Sequence, residues 1–102
     1  MEPFELDEIN ESRMILLDFL VGAYPRGIQE ERLIRSMLGL PRPIGRALTR
    51  RDLAYLQGLG LIETFVQENP VNGDRAVYWR LTTKGKKFNE LGRPWEKVED
   101  FN

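Results

Sequence analysis

A chain of 102 residues, 41% of them apolar, is long enough for one domain with its own hydrophobic core. It has no cysteine and no histidine, which excludes disulfides, thiolate chemistry, Cys- or His-based metal sites and the usual general base near neutral pH. The formal net charge of −1 argues against a protein that is basic over its whole surface.

The first predicted element is a helix that begins at Asp7 or Asn10, since either side chain can cap a helix N-terminus, and runs to about Val21. Its apolar residues recur at helical spacing. Glycine and proline then interrupt the chain over residues 22–27. We expect Ile28 to form a strand of one or two residues.

Two further helices follow. The second is predicted over about Gln29 to Leu38, with Gly39 as a left-handed stop. Residues 40–43 (Leu-Pro-Arg-Pro) predict a turn, because the two prolines prevent the helix from continuing. The third helix is expected from about Ile44 to Leu59, and Gly60 ends it because glycine adopts positive φ without a steric penalty.

The next segment has the pattern of a β-hairpin. Residues 61–67 are rich in strand-forming side chains, and residues 75–81 form the expected return strand. Between them, residues 68–74 contain Asn-Gly, which is typical of a hairpin turn. Consecutive strand residues point to opposite faces, so one of Tyr78 and Trp79 should be buried.

A last helix is expected after the hairpin. Thr82 or Thr83 would cap its N-terminus, and it would run to about Leu91. In the tail, Trp95 is expected to fold back onto the first helix or to contact a second subunit. The predicted fold class is α+β, with a three-helix core, a hairpin in a sheet of two or three strands, and a C-terminal helix.

The charged residues alternate in blocks along the chain. Residues 26–51 hold seven arginines and two glutamates, a net of +5, and residues 75–87 hold five basic residues and no acid, also +5. Residues 1–25, with six acids and one base, and residues 52–74, with four acids and no base, are acidic. Clustering therefore predicts a basic face despite the total charge.

Two segments resemble the winged-helix superfamily of transcription regulators. Residues 53–62 (Leu-Ala-Tyr-Leu-Gln-Gly-Leu-Gly-Leu-Ile) are similar to the end of the recognition helix and the start of the wing in MarR-, PadR- and ArsR-like repressors. Residues 81–85 (Leu-Thr-Thr-Lys-Gly) are similar to the Leu-Thr-x-x-Gly that closes the wing. The resemblance covers about residues 12–91 and implies a winged helix-turn-helix fold without distinguishing the subfamilies.

The chain departs from those families in two respects. It lacks the metal ligands of ArsR-type proteins, since it has neither cysteine nor histidine. It is also shorter than MarR and PadR proteins. The resemblance implies that proteins of those families dimerise through extra terminal helices. A homodimer is a further expectation.

The resemblance implies a DNA-binding transcription regulator. The third helix, residues 44–59, would enter the major groove, and the wing, residues 68–75, would meet the DNA backbone or minor groove. The predicted DNA-contacting residues are Arg42, Arg46, Arg50, Arg51, Tyr55, Arg75, Arg80 and Lys84. Arg46, Arg50 and Arg51 are the expected base readers, because guanidinium groups bind guanine edges in pairs. This assignment requires that they point outward and are not paired with carboxylates of the protein itself.

Each signal also has an alternative explanation. The arginines of the third helix would equally form a solvated helix face, and the lysines of the last helix would only increase solubility. Tyr55 would then pack beside the wing. Under this interpretation the fold serves as a protein–protein adaptor that does not bind DNA.

We expect no enzyme, metal or cofactor. Ser12 and Ser36 lie in predicted helices without a nucleophile motif, and no glycine-rich loop is placed to hold phosphate. No apolar run approaches the ~20 residues that span a bilayer. Residues 1–11 are acidic, unlike the start of a signal peptide. These features predict a cytoplasmic protein with a single domain over residues 1–102, in which residues 1–8 and 93–102 are less ordered.

Overall fold

The computed structural model describes the backbone of residues 3–100 and the side chains of residues 10–98. Over this part of the chain the elements are α1 Pro3–Ala23, β1 Ile28–Gln29, α2 Glu30–Leu38, α3 Arg46–Gly58, β2 Ile62–Glu68, β3 Arg75–Leu81, α4 Thr83–Glu90 and a 3-10 helix Trp95–Asp100. This order confirms the predicted α+β architecture. Most of the predicted acidic terminus lies outside the residues whose side chains are described.

The three strands form one antiparallel sheet in the order β1-β3-β2. β2 and β3 pair along their whole length, from Ile62 opposite Leu81 to Glu68 opposite Arg75. β1 adds only two pairs, on the other edge of β3. As predicted, only one of the consecutive aromatic residues of β3 is buried. Trp79 lies in the core, whereas Tyr78 stacks on Phe65 at a centroid distance of 5.4 Å.

The core lies where α1, α2 and α3 pack against the base of the sheet. Its fully buried side chains come from every one of these elements and from α4: Leu16, Leu17, Leu20, Leu33, Ile34, Met37, Leu53, Leu56, Leu61, Ile62 and Phe88. Trp95 packs against the core, but its ring contacts Phe88 of α4, 4.9 Å away in an edge-on arrangement, rather than the first helix as expected. Val98 of the 3-10 helix is also buried.

The two segments that carry the winged-helix resemblance pack against each other. Gly60 has φ +77°, and two hydrogen bonds close the end of α3 around it, from its own N–H to Gln57 O and from Leu61 N–H to Leu56 O. Thr82 donates its hydroxyl to the carbonyl of Gly60 at 2.6 Å and accepts the N–H of Gly85 at 2.9 Å, so it caps α4 as predicted.

The predicted starts of two helices are wrong. The first helix begins at Pro3, so Asp7 and Asn10 lie inside it. Acidic residues suit the first turns of a helix because of its dipole, and proline is tolerated there because it lacks only an N–H that would be unpaired. The third helix begins at Arg46 rather than Ile44, because Gly45 is extended and its carbonyl accepts the N–H of Thr49.

Gly39 is not the predicted left-handed stop. Its φ and ψ are −83° and 0°, and its N–H remains bonded to carbonyls of the last turn of α2. The N–H of Ile44 donates to the carbonyl of Met37 at 3.0 Å. The proline-containing turn therefore provides hydrogen bonds to carbonyl groups at the end of α2 without a residue of positive φ.

Candidate nucleic-acid interface

The outer face of α3 carries the predicted arginines. Thr49, Asp52, Leu53 and Leu56 of this helix are buried. Helical spacing then places Arg46, Arg50, Arg51 and Tyr55 on the exposed side, and all four are exposed. The prediction that these side chains point outward is confirmed. Their packing partners nevertheless divide them into two groups, one beside α2 and one beside α1.

Beside α2, the arginines meet two consecutive glutamates. Arg46 donates both terminal nitrogens to the two carboxylate oxygens of Glu31, each at 2.7 Å. Arg50 donates to Glu30 at 3.4 Å. Glu30 also accepts the indole N–H of Trp79 at 3.1 Å, so it connects the start of α2 to both α3 and β3. This places Arg50 next to the base of the wing.

The pair of Arg46 and Glu31 is charged and exposed to solvent. Its hydrogen bonds hold the pKa of Glu31 below its ordinary value and raise the pKa of Arg46. About half of each side chain is exposed. The pair is therefore accessible to an incoming anion.

Beside α1, Arg51 belongs to a buried carboxylate cluster. Asp52 has no exposed surface. It accepts the hydroxyl of Ser12 at 2.6 Å, Nε of Arg13 at 3.3 Å and Nη2 of Arg51 at 3.2 Å. The guanidinium of Arg13 also lies over the ring of Tyr55, 3.6 Å from its centroid. This cluster, which we call the Asp52 cluster (Ser12, Arg13, Arg51 and Asp52), joins α1 to α3.

The hairpin of β2 and β3, whose tip is the wing, contributes two of the predicted arginines. Arg80 donates to Glu63 on the paired strand at 2.8 Å, and its guanidinium lies 4.5 Å from the centroid of Phe65. Arg75 is exposed at the start of β3, opposite Glu68. The turn between the strands is closed by Asn side chains and by a glycine of positive φ, as the Asn-Gly pattern predicts.

The last two predicted residues lie at opposite ends of α3. Arg42 is exposed in the turn before the helix. Lys84 donates its ammonium group to the carbonyl of Leu59 at 2.8 Å. A cation suits this position because the C-terminal end of a helix carries partial negative charge. This contact spans 25 residues, so the sequence around Lys84 does not predict it.

The requirement that the α3 arginines be unpaired is not met, because each has a carboxylate partner. Sequence reasoning counted Glu30, Glu31 and Asp52 as charges and did not assign them partners. Ser12 and Arg13 were also missed, since their contacts with Asp52 span 40 and 39 residues. The local signals were the two adjacent acids at the start of α2 and the neighbouring Arg51 and Asp52.

Over the described residues, no group of acidic side chains is arranged to hold a metal ion. No helix in this part of the chain is long and apolar enough to cross a bilayer. Seven of the eight predicted DNA-contacting residues thus lie on α3, the turn before it and the hairpin of β2 and β3, and Lys84 lies on α4 against the end of α3.

Comparison with solved structures finds the same arrangement of helices and hairpin in bacterial and archaeal proteins. A PadR family transcription regulator from Clostridium difficile has a TM-score of 0.65 at 16% identity, covering 87% of this chain and 91% of its own. The fold is a winged helix.

Two further winged-helix structures agree. A putative transcriptional regulator from Thermoplasma acidophilum has a TM-score of 0.63 at 18% identity and covers 90% of each chain. A PadR-like transcription factor from Bacteroides fragilis has a TM-score of 0.60 at 16% identity, covering 94% of this chain and 93% of its own. No family model and no curated protein sequence matches the chain. At these identities the likeness establishes the winged-helix fold.

Proposed function

We propose that the protein is a transcription regulator that binds double-stranded DNA. In this proposal α3 enters the major groove, and the wing over residues 68–75 meets the backbone or the minor groove. The observation that carries it is the exposure of Arg46 and Arg50 in the first two turns of α3, where Arg50 shares Glu30 with Trp79 of β3. The solved structures that share the fold are named as transcription regulators, which agrees with this role.

Internal carboxylates do not remove the arginines from this role. Exposed ion pairs contribute little stability and are screened by salt, so a phosphate or a guanine edge can replace a carboxylate. Arg46 and Arg50 therefore remain the best candidates for base contacts. Arg51 is less available, because it also neutralises the buried Asp52.

The other predicted residues are expected to contribute less to DNA affinity. Arg42, Arg75 and Arg80 suit contacts with phosphates, because all three are in or next to the turn and wing that flank α3. Tyr55 is partly covered by Arg13, and Lys84 is directed at the end of α3. We therefore expect Tyr55 and Lys84 to contribute least to DNA affinity.

A homodimer and a location in the cytoplasm are part of the proposal. Helix-turn-helix dimers place their recognition helices about one DNA turn apart, roughly 34 Å. Sedimentation of the protein alone and with duplex DNA measures whether one or two copies bind. A monomer on DNA would contradict the dimer and leave the DNA contact in place.

A binding experiment tests the DNA contact. We expect fluorescence anisotropy with a labelled duplex to show binding at about 50 mM salt, with log K falling by roughly 0.9 per neutralised phosphate as log salt rises. The variant Arg46→Ala/Arg50→Ala should bind at least about tenfold more weakly, because it loses two contacts. The matched control is Lys86→Ala/Lys97→Ala, which removes two cations outside α3 and the wing.

A second candidate function is supported by the carboxylates themselves. Glu30 and Glu31 pair with Arg50 and Arg46, as would suit a protein–protein adaptor with no DNA partner. If the wild-type protein shows no duplex affinity at low salt and circular dichroism shows it folded, the DNA proposal fails and the adaptor is favoured.

A further inference from the structure

The outer face of the sheet carries a column of planar side chains. Phe65 of β2 stacks on Tyr78 of β3 at a centroid distance of 5.4 Å, and the guanidinium of Arg80 lies 4.5 Å from the centroid of Phe65. A Cβ atom at Gly27 would lie 2.9 Å from Cε1 of Phe65 and 2.8 Å from the carbonyl oxygen of Trp79. The ring of Phe65 therefore crosses β3 between Arg80 and Tyr78, in space that a glycine at position 27 leaves open.

The column ends at Tyr78, beside an open cavity. Alternate residues of a strand share a face, so Ala76 is the next residue of β3 on this side of the sheet. Its methyl group leaves the ring of Tyr78 partly exposed. Both residues line a cavity of about 490 Å³, which is within the range of sites that bind small molecules. A further planar group can therefore stack next to Tyr78.

The other walls of the cavity are mainly carboxamides. They belong to Gln29, Gln67, Asn69 and Asn72. Oδ1 of Asn69 accepts the N–H of Val71 at 2.8 Å. Oδ1 of Asn72 likewise accepts the N–H of Asp74 at 2.9 Å, so the amide nitrogens of both asparagines are left as donors. A carboxamide both donates and accepts, and this pattern matches the edge of a purine base such as adenine. The walls thus suit a planar ring with hydrogen-bonding edges better than a hydrocarbon.

Two charged residues, Asp74 and Arg75, also line the cavity. Over residues 10–98, whose side chains are described, no carboxylate forms an ion pair with Arg75, whereas Arg80 binds Glu63 at 2.8 Å. Arg75 can therefore bind an added phosphate without giving up a carboxylate. A carboxylate such as Asp74 accepts hydrogen bonds from ribose hydroxyls.

We propose that the cavity beside Tyr78 binds a purine ribonucleotide whose base is unpaired. The base stacks on Tyr78 and extends the column, the carboxamides bind its edge, and Arg75 binds its phosphate. A base inside a duplex cannot bind in this way, because it is stacked between its neighbours. The site does not depend on the proposed contact between α3 and duplex DNA.

Calorimetric titration with adenosine monophosphate (AMP) tests the site without DNA. We expect AMP to bind at least about tenfold more tightly than ribose 5-phosphate, which lacks the base, and more tightly than adenosine, which lacks the phosphate. Tyr78→Leu should weaken AMP binding at least about fivefold, because the ring that stacks on the base is lost. Equal affinities for AMP and ribose 5-phosphate, or no binding of AMP at millimolar concentration, would overturn the inference.

A matched pair of variants locates the site. Ala76→Leu fills the space next to Tyr78, so it should weaken AMP binding at least about tenfold. Val77→Leu introduces the same side chain at the next residue, on the opposite face of the sheet, and should leave binding unchanged. Circular dichroism checks that both variants are folded. If the two variants bind AMP alike, the site is elsewhere and the inference is wrong.

A short strand of adenylate RNA distinguishes the two sources of such a nucleotide. If the strand binds more tightly than AMP and Ala76→Leu weakens its binding, the base belongs to a single strand. If AMP binds as tightly as the strand or more tightly, the ligand is a free nucleotide. A wild-type protein that binds AMP but no duplex would contradict the proposed function and leave this site in place.

Discussion

Two junctions of α3 use the same chemical groups in opposite environments. On one side, the Asp52 cluster joins α3 to α1 around a carboxylate with no exposed surface. On the other, Glu31 binds Arg46 by two hydrogen bonds while about half of each side chain remains exposed. Buried carboxylates need their partners, whereas exposed pairs are exchangeable. The comparison therefore predicts that the first junction contributes to stability and that the second is available for the proposed DNA contact.

The largest expected effect is the loss of the buried carboxylate. Asp52→Ala should lower the free energy of unfolding by about 2–4 kcal/mol, because the hydroxyl of Ser12 and the largely buried Arg13 lose their acceptor. Urea unfolding measures the change. Asp52→Asn keeps an acceptor oxygen at the same place, so it should lose less than Asp52→Ala. If neither variant is destabilised, the junction with α1 is not structural.

The next effect comes from the hydroxyl that faces this carboxylate. Ser12→Ala should lower the free energy of unfolding by about 1–2 kcal/mol, since Asp52 then lacks its shortest hydrogen bond. The same urea titration measures it. Ser36→Ala, a partly buried serine on α2, is the control for the serine-to-alanine change itself. A larger loss from Ser36→Ala than from Ser12→Ala would contradict the importance of this bond.

The sequence predicts the elements of this fold better than it predicts either junction. The helices and the hairpin follow from local signals such as Gly60, Thr82 and the Asn-Gly turn. Arg51 pairs with its neighbour Asp52, but the partners of Arg46, Arg50 and Arg13 lie 15, 20 and 39 residues away, where local patterns do not identify them. The charge blocks showed where basic residues accumulate. They did not show that α2 brings Glu30 and Glu31 against them, since that depends on how the two helices pack.

The exposed junction should matter more for DNA than for folding. If the proposed function holds, Glu31→Gln should bind non-cognate duplex roughly threefold to tenfold more tightly. In this variant Arg46 gives up no carboxylate when it binds a phosphate, and no negative charge at position 31 repels the DNA. Anisotropy titration measures this. Glu90→Gln removes the same charge from an ion pair with Lys86 on α4. Equal gains in the two variants would show that only net charge matters.

The smallest effect is the pH dependence of the exposed pair. Arg46 lowers the pKa of Glu31 in the folded protein below its ordinary value of 4.5. A carboxyl whose folded pKa is depressed stabilises the fold above its unfolded pKa, and that contribution is lost as the pH falls through the folded pKa.

Wild type should therefore be slightly more stable than Glu31→Gln at neutral pH, and the difference in urea midpoint should disappear in acid, once the pH is below the folded pKa of Glu31. Taking the difference between the two proteins removes the titration of the other acids, which both share. A difference that persists in acid would mean that Glu31 stabilises the α2–α3 contact by packing rather than by charge. The exposed junction would then stabilise the fold as the buried one does, and a DNA phosphate would not be expected to displace Glu31 from Arg46.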